Sequence, residues 1–110
     1  MRAELKAKWL EALRSGRFPQ AAGRLKSDQG YCCLGVLCEV NEVPQDRSPI
    51  GTYEFTFQSR FGGEYAGYAM PPDNYEGLED WHYTELVTMN DRGRPFKDIA
   101  DWIEKNIPVD

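Results

Sequence analysis

The stretch Tyr31-Cys32-Cys33-Leu34-Gly35-Val36-Leu37-Cys38 runs for eight residues without a charge. Nothing else in the chain is so apolar, and charged segments flank it on both sides. A run of this kind belongs in the middle of a core. Its period is ambiguous. Tyr, Cys and Val suit a buried strand, whereas Leu34, Leu37 and Glu39 suit a helix. The pattern continues through Val40 to Val43, and that length favours a buried helix over 31–41, ended by Pro44. Gly35 costs a helix stability, so it is expected where another element comes close.

On the N-terminal side, Leu5, Trp9, Leu10 and Leu13 fall on one face of a 3.6-residue period and predict a helix over 3–15. Glu4 and Lys8 form an i,i+4 pair in the favourable order. Ser15-Gly16 stops the helix, with Gly16 past its end. Residues 17–30 read as a cationic loop broken by Pro19, Gly23 and Gly30, in which Ala21, Ala22 and Leu25 have the makings of one helical turn.

On the C-terminal side, 44–51 is a turn-rich connection. The period then changes to two. Tyr53, Phe55 and Phe57 alternate with polar residues, which predicts a half-buried strand over 52–58. Gly62-Gly63 marks a turn, and Glu64 to Met70 reads as the second strand of an antiparallel hairpin. A hairpin alone is marginal in water, so its aromatic face is expected on the helices. Thr84 is placed to cap a short helix from Glu85 to Asn90. Pro95 suits the start of a last helix, with Phe96, Ile99, Ala100, Ile103 and Ile107 as its apolar stripe. The expected fold is α+β over 1–110 as one domain: N-terminal helix, buried central helix, hairpin and a C-terminal helical pair. Cys33, Leu34, Leu37, Ile99, Ile103 and Leu10 are expected to share one core.

Composition narrows function more by exclusion than by assignment. No stretch approaches the roughly 20 apolar residues of a membrane span. The opening Met1-Arg2-Ala3-Glu4 lacks the apolar core of a signal peptide, which predicts a cytoplasmic protein. Three cysteines, all in one apolar run, fit buried thiols in a reducing compartment better than a disulfide framework. They do not make a metal site either. At about 100° per residue Cys32, Cys33 and Cys38 spread around a helix, and His82 is the single histidine. No cofactor is expected.

Candidate chemistry falls in two places. Residues 1–26 hold seven Lys/Arg against two Asp/Glu, while 27–110 hold six against sixteen. The simpler reading is that the two segments neutralise each other across the folded surface; the alternative is a basic face for an anion. Arg17, Arg24 and Lys26 near Tyr31 form the leading candidate anion site, because arginine forks beside an aromatic suit a phosphate and a ring. Arg24 and Lys26 lie in a loop with no helix end to serve, so replacing both by Ala is expected to leave stability within about 0.5 kcal/mol. The second candidate surface is acidic: Asp73, Glu76, Glu79 and Asp80 with His82. Paired carboxylates there would suit acid–base work, and His82 would have to serve any Cys–His or Ser–His pair. His82 reads more simply as a surface or capping residue. Leu86 to Glu104 has the outline of a helix-turn-helix, but Asp98, Asp101 and Glu104 on its second helix would repel phosphates, so sequence-specific DNA binding is not expected.

Several motifs together resemble one family. Trp9-x-x-Ala-Leu-Arg-Ser-Gly16, Gly30-Tyr-Cys-Cys-Leu-Gly-Val-Leu-Cys38, Met89-Asn-Asp-x-Gly93 and Phe96-x-x-Ile-Ala-Asp-Trp-Ile-Glu104 are similar to small uncharacterised proteins of tailed bacteriophages and prophages. Pro95 departs from the serine cap expected there, and 44–83 lies outside the likeness. The resemblance implies a setting, the cytoplasm of a bacterial host, and carries no activity. The resulting expectation is a non-catalytic phage accessory protein, host-modulating or counter-defence, that binds a protein partner or a small anionic ligand, with oligomers open. The alternative is a small enzyme acting on a nucleotide-like substrate through carboxylates and His82.

Overall fold

The computed structural model describes residues 1–58 and 62–110. Its helices are α1 (Ala3–Arg14), α2 (Cys33–Val40), α3 (Asp80–Asp91) and α4 (Phe96–Asn106). Its strands are β1 (Lys26–Ser27), β2 (Gly30–Tyr31), β3 (Gln45–Arg47), β4 (Tyr53–Gln58) and β5 (Glu64–Gly67). A 3-10 turn covers Tyr75–Gly77. The arrangement is α+β. None of its helices is long and apolar enough to cross a membrane.

The apolar run makes α2, and its first two residues stay outside the helix. Cys32 is the N-cap, and its Sγ accepts the Gly35 N–H at 3.4 Å. Cys33, Leu34, Val36, Leu37 and Cys38 are all fully buried. A helix this short and apolar has no solvent face of its own, so neighbours must cover it on every side. α1 does so with Leu5, Trp9, Ala12 and Leu13, and the buried Trp9 indole donates to the Cys33 carbonyl at 2.9 Å. Leu10, expected in the core, is only half-buried, because Trp9 and Leu13 take the inward face and turn it to the rim. α4 contributes Phe96, Ile99, Ala100 and Ile103, and β4 contributes Phe55 and Phe57.

Gly35 is where the cationic loop crosses. A side chain there would overlap the backbone carbonyl of Leu25. That carbonyl also accepts the Cys32 N–H at 3.2 Å. The loop is therefore seated on the start of α2. It is not a helical turn; it folds into the small β1–β2 hairpin with Lys26 opposite Tyr31. Leu25 is fully buried, and its N–H donates to Tyr68 at 2.8 Å.

The larger sheet has the order β3-β4-β5, all antiparallel. The alternation in β4 is as expected: Phe55 and Phe57 face the core and Glu54 faces solvent. β3 is an addition, since Gln45-Asp46-Arg47 is a polar edge strand that looks like a turn. β5 ends at Gly67, short of the expected Met70. The turn expected at Gly62-Gly63 adjoins residues 59–61, which lie outside the described residues.

The largest departure is α3. It starts at Asp80, not Glu85. Glu79 and His82 form a capping box in which each side chain accepts the other's backbone N–H. Thr84 lies inside the helix, with its hydroxyl on the Asp80 carbonyl at 3.2 Å. The buried positions of α3 are His82, Tyr83, Leu86 and Asn90. Two of the four are polar, which hides the period in the sequence.

Candidate functional site

The cationic segment is mostly spoken for. Arg14 bridges to Asp101 at 2.9 Å and Glu104 at 3.1 Å, joining α1 to α4. Arg17 pairs with Glu11 at 3.0 Å and its guanidinium lies 5.5 Å from the Phe18 ring centre. The Arg14 pairs cross from the cationic segment to the acidic remainder of the chain, as the simpler of the two sequence readings expects, whereas the Arg17–Glu11 pair lies within the cationic segment.

Lys26 is not a free loop cation. Its Nζ donates to Glu39 at 3.0 Å and to Gln45 at 2.6 Å, and sits 4.3 Å from the Tyr53 ring centre and 5.2 Å from that of Tyr31. The Tyr31 hydroxyl and the Gln45 amide also donate to Glu39, at 2.7 and 2.6 Å. Burial opposes charge on Glu39, but these three donors outweigh it and hold its carboxyl below the usual range. Burial opposes charge on Lys26 too, and Glu39 and Tyr31 outweigh it, raising the ammonium. The closed network ties β1, β2, α2 and β3 together. The sequence grouping of Arg17, Arg24, Lys26 and Tyr31 therefore does not converge on one site.

Arg24 remains. It is exposed and has no ion-pair or side-chain hydrogen-bond partner among the described residues. Gly23, at φ +85°, turns the backbone just before it, and buried Leu25 pins it just after. This position lies between two concavities. One, of about 170 Å³, is bounded by Arg24, by Cys32, Cys33 and Leu34 at the start of α2, by Met70, and by Val87 and Asp91 of α3. The other, of about 330 Å³, runs along Ser48, Ile50, Thr52, Glu54 and Tyr68. Ile50 is 83% exposed and Tyr68 54% exposed.

The floor of the smaller cavity is held by Asn90. Its Oδ1 accepts from the Cys33 N–H at 3.2 Å and from Gln20 at 3.1 Å, and its Nδ2 donates to Ala21 at 2.8 Å. This buried amide fastens α3 to both the loop and the start of α2. The thiols beneath are neutral. Burial pushes Cys32 up to about 11 and Cys33 well above its ordinary value. Cys33 Sγ donates to the Leu86 carbonyl at 3.6 Å. The cavity thus offers an apolar, polarizable floor with a cation and an anion at its edge.

The second predicted surface also does not converge. Glu76 accepts from Arg2 at 3.4 Å and from Asn41 at 3.3 Å. Glu79 is committed to the α3 cap and to the Trp81 indole at 3.0 Å. His82 caps the helix, as one of its two readings had it, but it is buried and not at the surface. Its Nδ1 accepts the Glu79 N–H at 2.9 Å, and its Nε2 has no partner among the described residues. Asp80 is exposed, and Asp73 borders a separate groove with Tyr65 and Tyr83.

Sequence reasoning found Arg24 and missed Asn90, Asp91, Met70 and Val87. The Asn90-Asp91-Arg92-Gly93 motif was legible as a helix stop. Nothing in it signalled that Asn90 points inward.

The family described as a domain of unknown function (DUF8296) matches residues 1–59, which include every element from α1 through β4. No curated protein and no solved structure matches the chain.

Proposed function

The chain belongs to the DUF8296 family, and on that premise we propose that it is a non-catalytic binding protein whose site is the cavity at Arg24. One observation carries this reading. Arg24 is an arginine without a partner among the described residues, fixed at the junction of two concavities. An arginine fork held over apolar surface suits a ligand with a carboxylate or phosphate and an apolar body. The likeness to small phage and prophage proteins supports a setting in bacterial cytoplasm, where such a receptor would modulate a host or defence component.

A thermal-shift screen tests it, with carboxylates and phosphates of differing apolar bodies, nucleotides included, on wild type and Arg24→Ala. Both proteins should melt alike without ligand. A ligand present at 100 times its Kd stabilises by about 2.7 kcal/mol, and that shift should vanish in Arg24→Ala. Ligands that stabilise both proteins equally would place the site elsewhere, with the acidic surface from Asp73 to Asp80 the next candidate.

A further inference from the structure

We propose that the cavity between Arg24 and Asp91 receives a free α-amino acid with an apolar side chain, an assignment that rests on the Arg24 site proposed above. Two opposite charges stand at one small cavity. Among the described residues neither is paired with the other or with any third group. Neither serves the fold. Asp91 is the last residue of α3, where the helix dipole disfavours an anion. Arg24 is held in place by the backbone of its neighbours alone.

A zwitterion meets both charges. Its carboxylate matches the guanidinium fork, and its ammonium matches the Asp91 carboxylate. The same pair selects against other ligands. A phosphate dianion on Arg24 would face Asp91, and an amine without a carboxylate would face Arg24.

Size and lining narrow the side chain to a small apolar one. An apolar cavity of about 150 Å³ holds a benzene ring, and this one is about 170 Å³. It is smaller than the roughly 300 Å³ at which pockets begin to enclose drug-sized ligands, so a nucleotide would not be enclosed. Cys32, Cys33, Met70 and Val87 supply sulfur and methyl surface. Thioether, branched and aromatic side chains all pack well on such groups.

Titration calorimetry on the full chain tests the assignment with L-methionine, L-leucine and L-phenylalanine. The controls are N-acetyl-L-methionine and L-methioninamide, each lacking one charge, and 3-phenylpropionate. At least one free amino acid should bind about tenfold more tightly than its blocked forms, a difference of about 1.4 kcal/mol. Arg24→Ala should abolish binding, and Asp91→Asn should erase the preference for the free amine. Asp91→Asn should not lower the melting temperature, which separates a lost ligand from a lost fold. Equal affinity for 3-phenylpropionate and phenylalanine, both lost in Arg24→Ala, would overturn the amino-acid assignment and leave the Arg24 site standing. Silence from every compound at millimolar concentration would also overturn it. The site itself would fall only if the wider ligand panel were equally indifferent to Arg24→Ala.

Discussion

Lys26 and Arg24 are two residues apart and have opposite lives. Lys26 is bound on all sides by Glu39, Gln45, Tyr31 and Tyr53. Arg24 pairs with no acid among the described residues. The sequence could not separate them, because Glu39 and Gln45 lie 13 and 19 residues further on and reach Lys26 only through the fold. Lys26→Ala should therefore cost about 1.5–3 kcal/mol, the range for hydrogen bonds to charged groups. Arg24→Ala should stay within about 0.5 kcal/mol. Urea denaturation of the two single variants checks both, and a pair of near-neutral results would break the network account. The same network sets a pH dependence. The folded Glu39 carboxyl titrates below its unfolded value of about 4.3, so its stabilisation is present above that pH and lost as pH falls through the folded value. Lys26 is raised above about 10.4, so its contribution holds below that pH and is lost at higher pH. Stability should drop more steeply on acidification in wild type than in Glu39→Gln. Parallel acid limbs in the two proteins would remove Glu39 from the account. Gly35 is the third decisive residue. Gly35→Ala pushes a methyl into the Leu25 carbonyl and should cost about 3 kcal/mol or more, the upper end for overpacking.

At the level of elements, legibility followed the polarity of the buried face. α1, α4 and β4 bury apolar residues at regular spacing, and each was readable from its period, whereas α2 is buried all round and was readable only from the length of its apolar run. α3 buries a histidine and an asparagine, so only its apolar half stood out. β3 is all polar because it is a short edge, and the residues that suit an edge strand also suit a turn. The β1–β2 hairpin is two residues a side and has no period to read. α2 itself is the element on which the others depend. Leu37→Ala, at a fully buried position, should cost about 2–5 kcal/mol. Chemical denaturation reads this directly, and a near-neutral value would mean that α2 is not the centre of the core.

Across the whole molecule, the charge asymmetry of the sequence resolves in part into pairing. Arg2, Arg14 and Lys26 each meet a carboxylate from the acidic part of the chain. Arg24 and Asp91 are among the charges that pairing leaves over among the described residues, and both line one cavity. Half of that site was visible beforehand as a loop arginine without a structural duty. The other half was not, because only the packing of α3 against the loop, through Asn90, brings Asp91 to the same cavity. The claim that this junction is where the protein binds its ligand is tested most directly by amide chemical-shift mapping. The uniformly labelled protein is titrated with the compound that stabilises it best in the thermal-shift screen. The account predicts shifts clustered at Gly23, Arg24, Cys32, Cys33, Met70, Val87 and Asp91, absent in Arg24→Ala. Shifts centred instead on Asp73, Glu76 and Asp80, or unchanged by Arg24→Ala, would contradict it.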